Sequence, residues 1–205
     1  MARYEDSLLV LKSDKHFSRV VKKFGPPNFK RPGLAKGRIF ESLLRAIIYQ
    51  QLSGNAAGAI HKRMLALFPG DVPIPEKLLK INTKKLRACG LSVQKIAYVR
   101  DLAHKFLDGT IDEKRFKKMT SAEIIEHVTA VHGIGEWTVH MLLIFTLGRK
   151  DILPVGDLGV RKGFQVLYRL KTLPDKKQME KLAAPWREHA SVGAWYLWRV
   201  ADDAK

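Results

Sequence analysis

The 205-residue chain has one cysteine, few acids and no long apolar run. A lone Cys89 excludes an internal disulfide and any iron–sulfur cluster, which needs several thiolates. It sits at an apolar helix end, where packing is the expected role. No segment approaches the roughly twenty apolar residues of a membrane span, so no membrane association is expected. The opening stretch MARYEDSLLVLKSDKHF lacks the apolar core and small-residue cleavage site of a signal peptide, and an intracellular protein is expected. Strand-like alternation is missing too. Acids number 20 against 37 Lys and Arg, a formal charge of +17. Such an excess attracts polyanions, because Lys and Arg displace the counterions condensed on phosphates. Nucleic acid is therefore the expected partner, weighed against a merely solvated basic face.

What the chain does have is helical period. Phe17, Val20, Val21 and Phe24 mark an amphipathic helix stopped by Gly25-Pro26-Pro27. A basic Pro/Gly loop is expected over residues 30–38. Phe40, Leu43, Leu44, Ile47 and Ile48 form the next stripe, running into Tyr49-Gln50-Gln51-Leu52-Ser53. Ser53 and Ser92 are placed to cap helices, Gly90 to end one in a left-handed conformation, and Thr120 with Glu123 to form a capping box. Met141 to Phe145 is an unbroken apolar run, as in a buried helix. Helices from Asp157 to about Leu170 and from Trp186 to about Ala201 complete an all-α fold.

Between two of these helices lies His132-Gly133-Ile134-Gly135-Glu136-Trp137. Its glycines allow positive φ and close approach of another molecule to the backbone. The turn opens into a helix whose first N–H groups lack partners, a site suited to a phosphate oxygen. Ordinary helix connections also use glycine; with the charge excess, the phosphate-binding role is favoured. Twenty positions after Trp137, Asp157 follows Pro154-Val155-Gly156 and precedes a helix. Taken alone, that placement is an N-cap.

The stretches VHGIGEWTVHMLL and LPVGDLGVRKGF closely resemble the hairpin and Gly/Pro/Asp loop of the helix-hairpin-helix (HhH-GPD) DNA glycosylases, nearest to the AlkA-like 3-methyladenine glycosylase II branch. FESLLRAIIYQQLSGNAA, LRACGLSVQKIAYVRDLA and WREHASVGAWYLWR resemble that branch as well, in the same order. The resemblance implies one compact glycosylase domain of two helical lobes flanking a cleft. Residues 38–147 would form the central lobe, and residues 1–37 with 148–205 the second. Asp157 becomes the catalytic carboxylate at the cleft floor, with the hairpin on one rim. About 37 residues ahead of Arg38 leave no room for the N-terminal mixed domain of some relatives.

The implied reaction is hydrolysis of the N-glycosidic bond of an alkylated purine in double-stranded DNA by a monomer, leaving an abasic site for base excision repair. An ionised carboxylate stabilises the developing oxocarbenium ion and can orient water. A cationic base leaves without a general acid, although His132 and His140 are available. Bifunctional relatives carry a nucleophilic lysine where this chain has Trp137, so no lyase activity is expected. Trp137 and Phe40 are base-pocket candidates against core packing. Met141 stands where some relatives have a pocket tyrosine, which leaves substrate range open. The resemblance assigns DNA contacts to the amides of Gly133, Gly135 and Thr138, to Gln51, and to Lys95, Arg161 and Lys162. A wedge comes from Leu91, Ser92 or Val93. No cofactor is required, although carbonyls of Thr129, Val131 and Ile134 would suit a structural Na+ or K+ ion. A non-catalytic DNA-binding protein, or a glycosylase for deaminated or oxidised bases, is the alternative. Binding should weaken steeply with salt. Six phosphate contacts would cost about 10³-fold in duplex affinity between 50 and 200 mM salt, and a flat titration would refute the electrostatic footprint.

Overall fold

The computed structural model describes residues 4–29 and 39–204, so the basic loop expected over residues 30–38 lies outside the described residues. Among these residues the regular structure is entirely helical. The elements are α1 (Glu5–Ser13), α2 (Lys15–Phe24), α3 (Ile39–Tyr49), α4 (Gly54–Leu65), α5 (Pro75–Lys80), α6 (Thr83–Ala88) and α7 (Val93–Leu107). Beyond them come α8 (Ser121–Thr129), α9 (Glu136–Leu142), α10 (Leu158–Leu167), α11 (Lys176–Ala183) and α12 (Ala190–Asp203). No helix among the described residues is long and apolar enough to cross a membrane.

The predicted boundaries hold where capping chemistry is explicit. Ser53 accepts from the Ala56 amide and Ser92 from the Lys95 amide. Thr120 and Glu123 close a full capping box. Gly90 ends α6 at φ +101°. Helices α1, α5 and α11 are not evident from sequence. The first has a weak apolar stripe, the second starts on a proline that reads as a breaker, and α11 is mostly polar. The run Met141–Phe145 is not one α-helix either. It leaves α9 at Leu142 and enters a π-helical turn, Leu143–Leu147.

The chain divides into two compact units: Met1–Arg31 with Leu143–Lys205, and Pro32–Leu142. The first unit is built on an aromatic core in which Phe17, Phe164, Trp186 and Tyr196 are fully buried. Phe17 meets Trp186 edge-on at 5.1 Å and Phe164 stacks on it at 5.9 Å. Each buried aromatic removes roughly 150–250 Å² from water. Asp14 caps α2 through the His16 amide at 2.7 Å and also accepts the Tyr168 hydroxyl at 3.0 Å, tying α2 to the end of α10. Helices α10 and α12 approach closely because residue 163 is glycine. A Cβ there would lie 2.2 Å from the Leu197 carbonyl oxygen.

In the second unit α3 packs on α4, α7 and α9. Its apolar residues Leu43, Leu44, Ile47 and Ile48 are inaccessible to solvent, as a helix apolar on most faces must be. Cys89 is buried there, and burial pushes its thiol pKa upward against the pull of Arg63. It is packing, as its surroundings suggested.

Candidate nucleic-acid interface and active site

The hairpin is a short chain reversal fastened from three sides. Helix α8 ends at Thr129, the Val131 amide donates to Val128 O at 3.2 Å, and the Ile134 amide donates to Val131 O at 3.1 Å. Ile134 is buried and anchors the turn in the core. Gln50 Nε2 donates to the Gly133 carbonyl at 2.7 Å. Asp101 Oδ2 accepts both the His132 amide at 2.8 Å and its imidazole Nδ1 at 2.9 Å. The Tyr98 ring lies under the turn, and a Cβ on Gly133 would fall 2.2 Å from it. Gly133 also needs its φ of +82°. Gly135 differs: its φ is not in the left-handed region and the space around it is open. Only one of the two glycines is demanded by the turn, then, and the other leaves backbone accessible.

Asp101 connects this turn to pH. Burial raises its pKa, but the hydrogen bonds from His132 and the charges of His132 and Lys105 outweigh that and hold it below the ordinary 3.8. A depressed folded pKa contributes stability that is present above the unfolded value and lost as pH falls through the folded one.

Asp157 stands at the N-terminus of α10 with extended backbone (φ −78°, ψ 122°). The Leu153-Pro154-Val155-Gly156 loop brings it there through a turn in which the Asp157 amide donates to Pro154 O at 2.9 Å. Oδ1 accepts the Val160 amide at 2.8 Å, the N-cap bond anticipated from sequence. It also accepts the Trp198 indole Nε1–H at 2.8 Å, which was not anticipated. Buried Ser191 holds the chain leading to the loop: its hydroxyl donates to Arg149 O at 2.8 Å and accepts the Ile152 amide at 3.2 Å. Asp157 itself is partly exposed. The result is a carboxylate held at the positive end of a helix, on a residue that is partly exposed.

Residues 44–188 match the family described as HhH-GPD superfamily base excision DNA repair protein, a span that contains both the hairpin and Asp157. The chain belongs to that family. The DNA-3-methyladenine glycosylase 1 of Schizosaccharomyces pombe is 37% identical over 193 residues, covering 92% of this chain and 83% of its own. The structure of the S. pombe 3-methyladenine DNA glycosylase (Mag1) in complex with abasic-DNA is similar at a TM-score of 0.80 and 33% identity, covering 95% of each chain. The DNA-3-methyladenine glycosidase structure from Bacillus halodurans is similar at a TM-score of 0.86 and 31% identity, covering 97% of this chain and 90% of that one.

Of the pocket candidates expected in an HhH-GPD protein, Trp137 is 50% exposed on the first turn of α9, so core packing does not account for it. Met141, one turn on, is 7% exposed. Phe40 is buried edge-on against Phe106 at 5.2 Å, which makes it a core residue of the second unit rather than a pocket wall. Of the wedge candidates, Leu91 is wholly buried and leaves the role. Ser92 is engaged as the α7 cap, and Val93 stands 74% exposed. Gln51 is exposed at φ +56°, a conformation disfavoured for any residue with a Cβ.

Among the cations, Lys95 corrects an expectation. Its ammonium donates to Ile48 O at 2.6 Å and Gln50 O at 2.8 Å, capping the end of α3 in place of a phosphate, and burial lowers its pKa. Arg161 Nε donates to Pro174 O at 3.1 Å, while Lys162 is exposed. The Thr138 amide is taken by Gly135 O at 2.9 Å, inside the first turn of α9, so it too drops out as an anion donor. His140 is buried with Nε2 3.4 Å from Glu136 Oε1. Of the carbonyls of Thr129, Val131 and Ile134, the candidate cation ligands, that of Val131 accepts the Ile134 amide at 3.1 Å and keeps a second lone pair.

Asp101, Gln50, Tyr98, Ser191 and Trp198 escape a reading of the sequence because each acts on a residue far along the chain. Gly133→Ala should destabilise the fold by about 1–3 kcal/mol, the range for strain at a special φ, measured by denaturant unfolding. Unchanged stability would mean that the Tyr98 ring yields. Asp101→Asn should remove part of the acid limb of the stability–pH profile, with little difference from wild type left below the folded pKa. Superimposable profiles would refute its role in the hairpin.

Proposed function

We propose that the protein is a monofunctional, monomeric glycosylase that releases alkylated purines such as 3-methyladenine from duplex DNA. The observation that carries this is Asp157: a carboxylate anchored at Oδ1 and still partly exposed, in the Gly/Pro/Asp loop of an HhH-GPD chain. The names of its relatives supply the substrate class. The S. pombe relative is a DNA-3-methyladenine glycosylase, and its structure holds abasic DNA, the product such an enzyme leaves.

The residues present suffice for the chemistry. The target nucleotide leaves the base stack at a cost of a few kcal/mol. Trp137 offers an aromatic face on which a base can stack, worth roughly 1–3 kcal/mol, with a further cation–π contribution when the base is positively charged. As the glycosidic bond lengthens, positive charge grows on the deoxyribose and the Asp157 carboxylate stabilises it. The same group orients water onto the anomeric carbon and takes the proton that the water gives up as the new C–O bond forms. The alkylated base departs neutral, carrying the bond electrons, so no general acid is required. The amides of Gly133 and Gly135 approach a DNA phosphate, and a Na+ or K+ ion on the Thr129, Val131 and Ile134 carbonyls would add positive charge beside them. Val93, exposed and apolar, fills the space the flipped nucleotide leaves.

Asp157→Asn keeps an N-cap acceptor and removes the charge. It should slow release of 3-methyladenine or 7-methylguanine by at least about 100-fold while the Kd for an abasic duplex changes less than about threefold. Wild-type-like excision would remove Asp157 from the chemistry, and a wild-type protein that releases no base would make the chain a DNA-binding module. Borohydride should trap no covalent complex, because an indole at position 137 cannot form a Schiff base.

A further inference from the structure

We propose that Trp198 is a positioning residue for Asp157, held by Phe145 of the π-helical turn and admitted by the absence of a side chain at Gly159; this rests on the reading of Asp157 as the catalytic carboxylate. Three observations converge on it. First, the indole N–H and the Val160 amide both reach Oδ1 at 2.8 Å. Capping α10 needs only the amide. The indole adds a donor from α12 to the amide of α10, so Oδ1 is held from two helices and rotation about the Cβ–Cγ bond is restrained.

Second, the indole is itself braced. Phe145 stacks on Trp198 with ring centroids 5.8 Å apart and planes within 23°. Phe29 packs on Phe145 at 5.9 Å, and Tyr4 on Phe29 at 5.2 Å. Phe145 occurs in the π-helical turn Leu143–Leu147. Such a turn holds an extra residue and shifts the residues after it out of α-helical register, a device common at functional sites. Third, Gly159 makes room for the indole. A Cβ there would lie 2.8 Å from Trp198 Cδ1 and 3.1 Å from Asp157 Oδ1, so any larger residue would push the donor and the carboxylate apart.

The consequence for the reaction is orientation. A carboxylate that must meet a developing positive charge works only along a narrow direction, and a misplacement near 1 Å can lower a rate by about 10²-fold. Trp198 touches neither base nor sugar in this scheme; it acts through Asp157.

The test is single-turnover release of 7-methylguanine from a duplex, paired with the Kd for an abasic duplex and the unfolding midpoint. Trp198→Phe keeps an aromatic ring and removes the N–H. The rate should fall about 10- to 100-fold, the range for losing a hydrogen bond to a charged group, with the Kd within about twofold of wild type. Phe145→Leu keeps the donor but loses the stack, and a smaller fall at the same Kd is expected. If Trp198→Phe does not fold, the indole N–H can be replaced by sulfur through amber suppression of a benzothienylalanine, with the same rate loss expected. A wild-type rate in either N–H-free protein overturns the inference while the function of Asp157 stands. So does a loss of rate matched by an equal loss of affinity and stability, which would mark Trp198 as merely structural. A wild-type protein that releases no base brings down the proposed function and this inference together, and Asp157→Asn in the same assay separates the two failures.

Discussion

Oδ1 of Asp157 accepts two hydrogen bonds of 2.8 Å, one from the start of its own helix and one from an indole on another. For both to form, α10 must begin at Leu158, α12 must cross close enough to offer Trp198, and the chain before the loop must be pinned. The crossing depends on Gly163, where any Cβ would meet the Leu197 carbonyl. The pinning depends on Ser191, whose hydroxyl donates to one loop backbone group and accepts from another. Much of the first unit can be understood as the means of holding one carboxylate still. A surface aspartate capping a helix would need none of this.

The second unit solves a different problem, the presentation of bare backbone. A hairpin stripped of side chains at Gly133 and Gly135 is a weak structure by itself. Ile134 anchors it from below, Tyr98 supports it, and Gln50 and Asp101 hold its polar groups. Lys95 belongs to the same support, because its ammonium closes the end of the helix that supplies Gln50. The positive charge of the chain is therefore not all free to meet phosphate. Some of it is structural, as at Lys95, and the remainder is a diffuse positive field of the kind that attracts polyanions.

Charge and periodicity carried the all-α architecture, the basic character and the helix boundaries marked by caps or breakers, because these are local chemistry. Thr120 with Glu123, Ser92 and Gly90 could be placed without coordinates for that reason. Helix α11 could not, since its polar face dilutes the stripe and it buries only Met179 and Ala183. The site divides the same way. Asp157 and the glycine hairpin were legible through their resemblance to the HhH-GPD motifs, whereas the fate of individual side chains was not. Leu91, Val93, Phe40 and Lys95 all looked available from sequence, yet the first and third are core, the last is a helix cap, and only Val93 is open.

By itself, then, the sequence determined a basic helical protein with a glycine hairpin and an acid twenty residues beyond its tryptophan. Tertiary structure alone decided which oxygen of that acid is held, by what, and which neighbours remain exposed. The reason is range. Backbone periodicity and capping act over three or four residues, whereas the Trp198–Asp157 bond joins groups 41 positions apart and the Gln50–Gly133 bond groups 83 apart. Contacts of that span leave no local imprint on composition, and they exist only once helices have packed.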